Sequence, residues 1–420
     1  MAPASLALLM PLQGCAGIPL QPRQTLHVLV VPTEQMEWMQ KDLIEARQTM
    51  APLLKAFRRL QPGVGIQVSF QNHAGLGATL RSSSSRGLAP DLLVMRAPQA
   101  VSLLHHGLID PLPIRDSTVR SLLGLIPDRD LRRVRTDRGL AGLPWFNEFT
   151  LACYDRRRLQ QPPTTLTELL ALAASGRNVG LSVDPIGLWW TAGALGAESV
   201  IAPIITGSGG SDTPAAQQQQ RARLSRWLTW LRQAALQSRI EIASGTRELT
   251  HGLESGQLAW IPCFSLTLNR LDRTMGPRLG VAPLPGGPAG PASPFSTTEV
   301  WALGRNSSQA QRRLALQLVA LSLDPLIQRE LMLVSKTLLP ANQYVPIPLA
   351  SSGRLAALES ANRQFQTVNA LFSMPFSLDR VEQVLPRIER LIMDVMVGIT
   401  PPRQGVEQLL ELKSHSARTR

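Results

Sequence analysis

The chain has 420 residues, of which 44% are hydrophobic and 17% charged, which is typical of a globular protein and excludes a disordered or fibrous one. At about 100–200 residues per domain, this length predicts two to three domains. The net charge of +13 arises from 43 Lys and Arg against 30 Asp and Glu, and Arg supplies nearly all of the basic residues. Such a charge suits nucleic acid, an anionic lipid or an anionic ligand, without choosing among them.

The N-terminal residues 1–15 read MAPASLALLMPLQGC, an apolar run that ends in LQGC. This ending resembles a bacterial lipobox, and it predicts a lipoprotein-type signal peptide with Cys15 as the lipidation site. The protein is then expected on the periplasmic or cell-surface side of the cytoplasmic membrane. No Lys or Arg precedes the run and Gln13 is bulkier than usual. An apolar N-terminus with an unrelated Cys is therefore the alternative.

The first part of the chain alternates between strand and helix patterns. Predicted strands lie at residues 26–31, 65–70 and 90–95, and predicted helices lie at 38–60, 76–81 and 101–106. Pro52 predicts a kink or a break in the first helix, and the serines at 82–85 predict a polar loop. Strands separated by helices predict an α/β protein with both faces of its sheet covered.

The second part of the chain continues this pattern. Strands are predicted at 149–154 and 258–264, a small polar loop at 207–220, and helices at 307–323 and 380–397. The histidines are scattered, and the three cysteines lack zinc-type spacing. We therefore expect no metal and no cofactor.

Short motifs occur in a fixed order along the chain. They are Pro62-Gly63-Val64, Pro90-Asp91-Leu92, Gly107-Leu108-Ile109-Asp110-Pro111-Leu112, Gly142-Leu143-Pro144, Pro163-Thr164-Thr165-Leu166, Gly252-Leu253-Glu254-Ser255-Gly256, Val281-Ala282-Pro283-Leu284-Pro285, Leu339-Pro340-Ala341 and Gly398-Ile399-Thr400-Pro401. From about residue 26 to residue 412, this order resembles the extracellular solute-binding proteins (family 1) of sugar-type ABC importers.

The resemblance implies the type II periplasmic-binding-protein fold, with two α/β lobes, a hinge that the chain crosses several times and a ligand cleft between the lobes. Lobe one is expected at 24–142 plus 298–343, and lobe two at 143–297 plus 344–412. It further implies a non-enzymatic monomer that captures a sugar or polyol, closes on it and docks on a membrane permease. Cys153 and Cys263 would lie in the same lobe, where we expect two buried thiols, with a disulfide as the alternative.

Ligand contacts are expected from aromatic side chains near the crossings and in lobe two, because an indole stacks on the apolar face of a pyranose. For every tryptophan, packing in the core is the alternative. The aromatic candidates are Trp145, Trp189, Trp190, Trp301 and Phe264. Polar candidates that could bind hydroxyl groups are Glu37, Asn72, Arg96, Asn147, Glu148, Thr298 and Glu299.

Three other functions compete with this interpretation. An enzyme would need a motif for nucleotide, metal or nucleophile chemistry, and we find none. The basic clusters at 129–138 and 156–158 are not interleaved with aromatic residues, so a solvated face is expected rather than a nucleic-acid site. The same fold could instead bind an anionic solute such as a glycerol phosphodiester through Arg96 and Arg270.

Overall fold

The computed structural model describes residues 24–32, 40–71, 75–207, 213–368 and 378–418. The strands are β1 (Gln24–Val30), β2 (Val64–Phe70), β3 (Leu92–Arg96), β4 (Ile109–Asp110), β5 (Arg135–Thr136), β6 (Gly139–Leu140), β7 (Leu143–Asp155), β8 (Val179–Ser182), β9 (Ile240–Ala243), β10 (Trp260–Phe264), β11 (Leu279–Ala282), β12 (Ser296–Gly304) and β13 (Leu339–Pro340).

The helices in these segments are α1 (Gln40–Leu60), α2 (Leu76–Ser85), α3 (Ala97–His105), α4 (Ser117–Leu123), α5 (Asp128–Arg132), α6 (Leu166–Ala174), α7 (Pro185–Ala194), α8 (Glu198–Thr206), α9 (Pro214–Ala235), α10 (Thr246–Ser255), α11 (Leu268–Met275), α12 (Gln309–Ser322), α13 (Pro325–Ser335), α14 (Gly353–Val368), α15 (Leu378–Val397) and α16 (Pro402–Arg418). None of these described helices has the length and apolar composition needed to cross a membrane.

The main strands follow one another in the order β2-β1-β3-β12-β7-β10-β8-β9. We call the part formed by β2, β1, β3, β12 and the first half of β7 the sheet of lobe one. The sheet of lobe two consists of the second half of β7 with β10, β8, β9 and β11. Strands β1, β2 and β3 are parallel, whereas β12 is antiparallel to both β3 and β7. This is the two-lobed α/β architecture that the sequence predicts.

Strand β7 joins the two sheets. Its residues 143–149 pair with β12, and its residues 150–155 pair with β10 and β11. All 13 residues of β7 are buried, so the strand is longer than the predicted 149–154 and forms part of both cores. The chain therefore passes from one lobe to the other without leaving regular structure.

Two hydrophobic clusters form the interior. The first fills lobe one and continues along one face of the sheet of lobe two, where it includes Leu151, Ile261 and Cys263. The second covers the opposite face of that sheet with residues from α7, α8, α9, α15 and α16. The first cluster thus extends from lobe one into lobe two across β7, and β7 contributes residues to both clusters.

Three local predictions are wrong. Of the kink or break predicted at Pro52, the break is absent, because helix α1 continues through this residue. Residues 82–85 form the end of α2 rather than a loop, because Ser83 and Ser85 donate their hydroxyls to carbonyl oxygens of their own helix. Of the predicted loop at 207–220, residues from Pro214 onward are helical, since Thr213 caps α9 through the N–H of Ala216.

Cys153 and Cys263 form a disulfide, so the expectation of two buried thiols is wrong. The two residues lie on neighbouring strands β7 and β10, with their Cα atoms 5.8 Å apart. Cys153 faces Ile261 in the pairing, and Cys263 faces Leu151. The bond closes a loop whose ends are 110 residues apart in the sequence.

We expect the double variant Cys153→Ala/Cys263→Ala to lower the free energy of unfolding by about 2–5 kcal/mol, because a cross-link over a long loop restricts the unfolded chain. Urea unfolding of this variant and of its parent, both carrying Cys15→Ala, measures the effect. Titration of two free thiols in the oxidised parent after denaturation would contradict the disulfide.

Candidate functional site

The carboxyl ends of the parallel strands in each lobe lie toward the other lobe. In lobe one, β3 ends at Arg96, which faces Glu299 of β12. In lobe two, β8, β9 and β10 are parallel, and β10 ends at Phe264 opposite Thr150, where β7 has just left lobe one. In open α/β sheets, ligands bind beyond the carboxyl ends of the strands. The two edges thus define a candidate ligand cleft at the middle of β7.

Three of the predicted polar residues meet at this edge of lobe one. A guanidinium nitrogen of Arg96 donates to Glu148 Oε2 at 3.1 Å. Glu299 lies directly across the β3–β12 pairing from Arg96. Glu148 is buried, whereas Arg96 and Glu299 are partly exposed. We call Arg96, Glu148 and Glu299 the charged triad.

Local structure holds the triad in place. Arg96 ends β3 and immediately precedes α3, and its backbone N–H donates to the Gln99 side chain at 3.3 Å. Glu148 is fixed on the fully buried strand β7. Glu299 lies at an irregularity in the β12–β7 register, between Glu299 and Val300. Such irregularities redirect a side chain relative to its neighbours along the strand.

Burial changes the protonation of the two carboxyl groups. Burial, followed by the charge of Glu148, raises the pKa of Glu299 from 4.5 to about 8, although Arg96 opposes the rise. Burial also raises the pKa of Glu148, and the charge and hydrogen bond of Arg96 partly offset this effect. With a pKa of about 8, Glu299 is mainly protonated at neutral pH, so its side chain can donate a hydrogen bond as well as accept one.

Some polar atoms in and beside the triad have no hydrogen-bond partner. Glu148 Oε1 and Arg96 Nε are buried and have no partner among the described residues. The same holds for the hydroxyl of Thr297, which pairs with Glu148 across β12 and β7. A buried polar atom without a partner is costly, so native structures usually satisfy such atoms with protein, water or ligand. These atoms point to a polar ligand or ordered water at this position.

Asn147 and Thr298 lie in a separate network on the opposite face of the same strands. The Thr298 hydroxyl donates to Asn147 Oδ1 at 2.6 Å, and the Asn147 amide donates to Asp130 at 3.1 Å. Arg133 donates to the Thr298 hydroxyl at 2.6 Å and lies over the ring of Phe365. Burial lowers the pKa of Arg133 to about 10 despite the attraction of Asp130. The structure does not bring Asn147 and Thr298 to the triad.

The tryptophan candidates are packed inside the lobes. Trp145 and Trp301 contact each other in lobe one, with ring centroids 4.9 Å apart and exposures of 3% and 0%. Trp190 is packed between Trp230 and Trp260 in lobe two. For Trp145, Trp190 and Trp301, core packing replaces the predicted stacking role, because an indole needs an exposed face to stack on a sugar.

Trp189 lies on α7, close to the carboxyl end of β8, and is as buried as Trp145, with 3% of its surface exposed. Its indole N–H has no partner among the described residues, a property that it shares with Trp190, Trp230, Trp260 and Trp301. Phe264 is buried at the carboxyl end of β10, with its ring 6.4 Å from that of Phe295. A ligand contact remains a prediction for both.

Lobe two contributes a polar residue to this edge that we did not predict. Asp184 follows β8 and caps α7 by accepting from the backbone N–H groups of Ile186 and Gly187. Burial raises the pKa of Asp184 in spite of these two hydrogen bonds. The sequence contained a usable signal, since Asp followed by Pro after a strand is typical of a helix start.

Glu37, Asn72 and Cys15 lie outside the described residues. Arg270, the other residue suspected of binding an anion, pairs with both carboxylate oxygens of Glu254 at 3.0 and 3.1 Å. Among the described residues, no cluster of His, Cys, Asp and Glu is arranged to hold a metal ion.

No protein-family model matches this chain, and no curated relative was found. Solved structures do match over nearly the whole length. The GacH receptor of Streptomyces glaucescens, solved unliganded and with acarbose, is 14% identical with a TM-score of 0.68, over 94% of this chain and 98% of that one. The maltodextrin-binding protein of L. casei BL23 is 14% identical with a TM-score of 0.71, over 93% and 98%.

A third match is an ABC transporter solute-binding protein from Thermotoga lettingae bound to α-D-tagatose, 15% identical with a TM-score of 0.66, over 94% of this chain and 100% of that one. These likenesses show that the chain has the two-lobed fold of periplasmic sugar-binding proteins. The fold predicted from the sequence is therefore confirmed.

We expect the free energy of unfolding to fall as pH rises from about 4.5 to about 8, because folding raises the pKa of Glu299 over this range. In this window the unfolded state has released the Glu299 proton and the folded state has not, so rising pH favours unfolding. Glu299→Gln should flatten this part of the profile and be more stable than its parent above pH 8.

Thermal unfolding between pH 5 and pH 9 measures this effect. Glu330→Gln, which alters an exposed carboxyl group on α13, is the matched control and should leave the profile unchanged. Parallel profiles for the parent and Glu299→Gln would contradict the raised pKa of Glu299.

Proposed function

We propose that this protein captures a neutral sugar or polyol between its lobes as the solute-binding subunit of an ABC importer. The observation that carries the proposal is the meeting of Arg96, Glu148 and Glu299 at the carboxyl edge of lobe one, next to the strand that joins the lobes. Ligands are expected at this position in open α/β sheets.

The chemistry of the triad suits hydroxyl groups. A protonated carboxyl group donates and accepts, a carboxylate accepts, and a guanidinium donates. A hydroxyl group, which both donates and accepts, can satisfy each of them. The unpartnered Glu148 Oε1 and Arg96 Nε supply one acceptor and one donor. A neutral solute leaves the ion pair of Arg96 and Glu148 intact and adds no further charge to the cleft.

Lobe closure is the mechanism that we infer. A solute held by the triad would be contacted by lobe two from the edge that carries Phe264, Asp184 and Trp189. A ligand favours the closed state only through contacts that the open state lacks. Residues on both edges are therefore needed, and a hinge movement about β7 and β12 would bring them together. The closed form would then deliver the solute to a membrane permease.

Structures similar to this chain support this chemistry. They include a receptor with acarbose, a maltodextrin-binding protein and a solute-binding protein with tagatose. The same proposal requires no catalytic role, because the binding of hydroxyl groups accounts for the carboxyl groups of the triad.

An anionic solute is the second candidate, favoured by the exposed part of Arg96 in the cleft. Two observations oppose it. Arg96 is already paired with Glu148, and Arg270 is already paired with Glu254. A phosphate would therefore have to compete with carboxylates that are part of the fold.

We further propose that residues 1–15 direct export and that Cys15 carries the lipid. The apolar run ending in LQGC supports this, and so does the disulfide, because structural disulfides persist in oxidising compartments outside the cytoplasm. The protein would then act as a monomer tethered next to its permease.

Calorimetric titration with a panel of maltose, trehalose, sucrose, tagatose and sorbitol tests the solute. We expect binding of at least one neutral member, weakening as pH rises past about 8, since ionisation of Glu299 removes a hydrogen-bond donor. Glu299→Gln keeps an amide donor and should lose this pH dependence. Glu299→Leu should weaken binding about tenfold by removing a hydrogen bond.

Glu330→Gln is again the control and should bind like the parent. Binding of a glycerol phosphodiester with no response to any neutral polyol would move the assignment to the anionic solute. Release of a monosaccharide from the bound ligand would contradict the absence of catalysis.

Lipidation is tested by metabolic labelling with a radioactive fatty acid in a bacterial host. We expect label on the parent and none on Cys15→Ala, because the thioether-linked lipid needs that sulfur. Equal labelling of the two proteins, or labelling of neither, would contradict the lipobox.

A further inference from the structure

The edge of lobe two that faces away from the cleft carries a row of arginines. Strands β8, β9 and β10 begin at this edge, β7 ends here, and β11 begins here. Arg156, Arg157 and Arg158 follow the end of β7 directly. Arg177 and Arg239 lie just before β8 and β9. We call these five residues the arginine row.

Backbone hydrogen bonds show that the row is one continuous surface. The N–H of Arg156 donates to the carbonyl of Arg278, and the N–H of Asp155 donates to that of Ala259. The N–H of Ala259 in turn donates to Asn178 next to Arg177, and the N–H of Val179 donates to the carbonyl of Arg239. With neighbouring strands about 4.8 Å apart, the five strand ends span about 20 Å.

The row is poor in acidic partners, unlike other arginines of the protein. Elsewhere Arg312 pairs with Asp110, Arg354 with Asp272 and Arg221 with Glu407. Two carboxyl groups lie near the row: Asp155 is buried and held by the Arg278 side chain at 3.1 Å, and Glu241, two residues after Arg239, is exposed. Arg156, Arg157, Arg158, Arg177 and Arg239 are all exposed, and no ion pair is recorded for them among the described residues.

An exposed apolar side chain lies beside the row. Leu236 is 63% exposed in the turn that leads from α9 to Arg239 and β9. Basic residues around an exposed leucine fit the interface of a bilayer, where the leucine enters the headgroup layer and the guanidinium groups bind lipid phosphates. Nucleic acid is read by an element that enters a groove or by stacked aromatic rings, and this edge consists of strand ends and turns.

We propose that the arginine row is a docking surface for the anionic headgroups of a phospholipid bilayer. The row lies at the end of lobe two remote from the cleft, so bound lipid leaves the cleft open to solute. The proposal does not depend on which solute the cleft takes. It also differs from a covalent anchor, because the contact is electrostatic and weakens with salt.

Co-sedimentation of the full-length Cys15→Ala protein with vesicles tests the proposal without a covalent lipid. One set of vesicles contains phosphatidylglycerol mixed with phosphatidylcholine, and the other contains phosphatidylcholine alone. We expect binding to the first set only, and a roughly hundredfold smaller partition coefficient for the variant Arg156→Gln/Arg157→Gln/Arg158→Gln.

The control is Arg115→Gln/Arg120→Gln/Arg138→Gln, which removes the same charge from exposed positions on lobe one. It should bind nearly as the parent does. A second variant, Arg177→Gln/Arg239→Gln, tests the other end of the row and serves if the triple variant misfolds. Unchanged thermal unfolding and solute binding show that the lobes are intact.

Equal losses in the row variant and the control variant would overturn the proposal, because the effect would then come from total charge. Binding that does not need phosphatidylglycerol would overturn it as well. Displacement from vesicles by inorganic phosphate at millimolar concentration would assign the row to free phosphate, and stronger binding to a DNA duplex than to vesicles would assign it to nucleic acid.

Discussion

The continuous burial of β7 is the constraint on which the rest of the structure depends. Its 13 residues pair first with β12 and then with β10 and β11, so one strand belongs to two sheets and two cores. A one-residue shift of this strand would exchange the residues on its two buried faces and would separate Glu148 from Arg96 and Asn147 from Thr298. The position at which β7 leaves lobe one therefore sets where the two carboxyl edges meet.

Strand alternation then separates the polar residues near this joint into two groups with different surroundings. Glu148 and Glu299 lie on the face that meets Arg96, where buried atoms remain without partners. Asn147 and Thr298 lie on the other face, where their side chains hydrogen-bond each other, Asp130 and Arg133. Residues adjacent in the sequence therefore have different roles. Glu148 and Glu299 are available to a ligand, whereas Asn147 and Thr298 stabilise the pairing of β7 and β12.

Charged side chains are arranged differently in the cleft and at the remote edge of lobe two. In the cleft, Arg96 pairs with Glu148, and the raised pKa of Glu299 keeps that neighbouring carboxyl group mainly protonated at neutral pH. At the remote edge of lobe two, exposed arginines accumulate with little acidic compensation. The net charge of +13 is therefore unevenly distributed, and the part facing solvent at that edge is the one that can bind an anionic surface.

The sequence by itself predicted the alternation of strands and helices, because apolar periodicity is a local signal. It predicted the two-lobed fold through the order of its short motifs, which resembles that of ABC-importer solute-binding proteins, and it offered Arg96, Glu148 and Glu299 as candidates without showing that they meet. Only the tertiary structure decided that Trp145 and Trp301 pack together inside lobe one and that Cys153 bonds to Cys263. Both facts depend on the register between strands far apart in the chain. Composition and spacing do not encode that register, since many pairings bury the same apolar residues, and packing selects one of them.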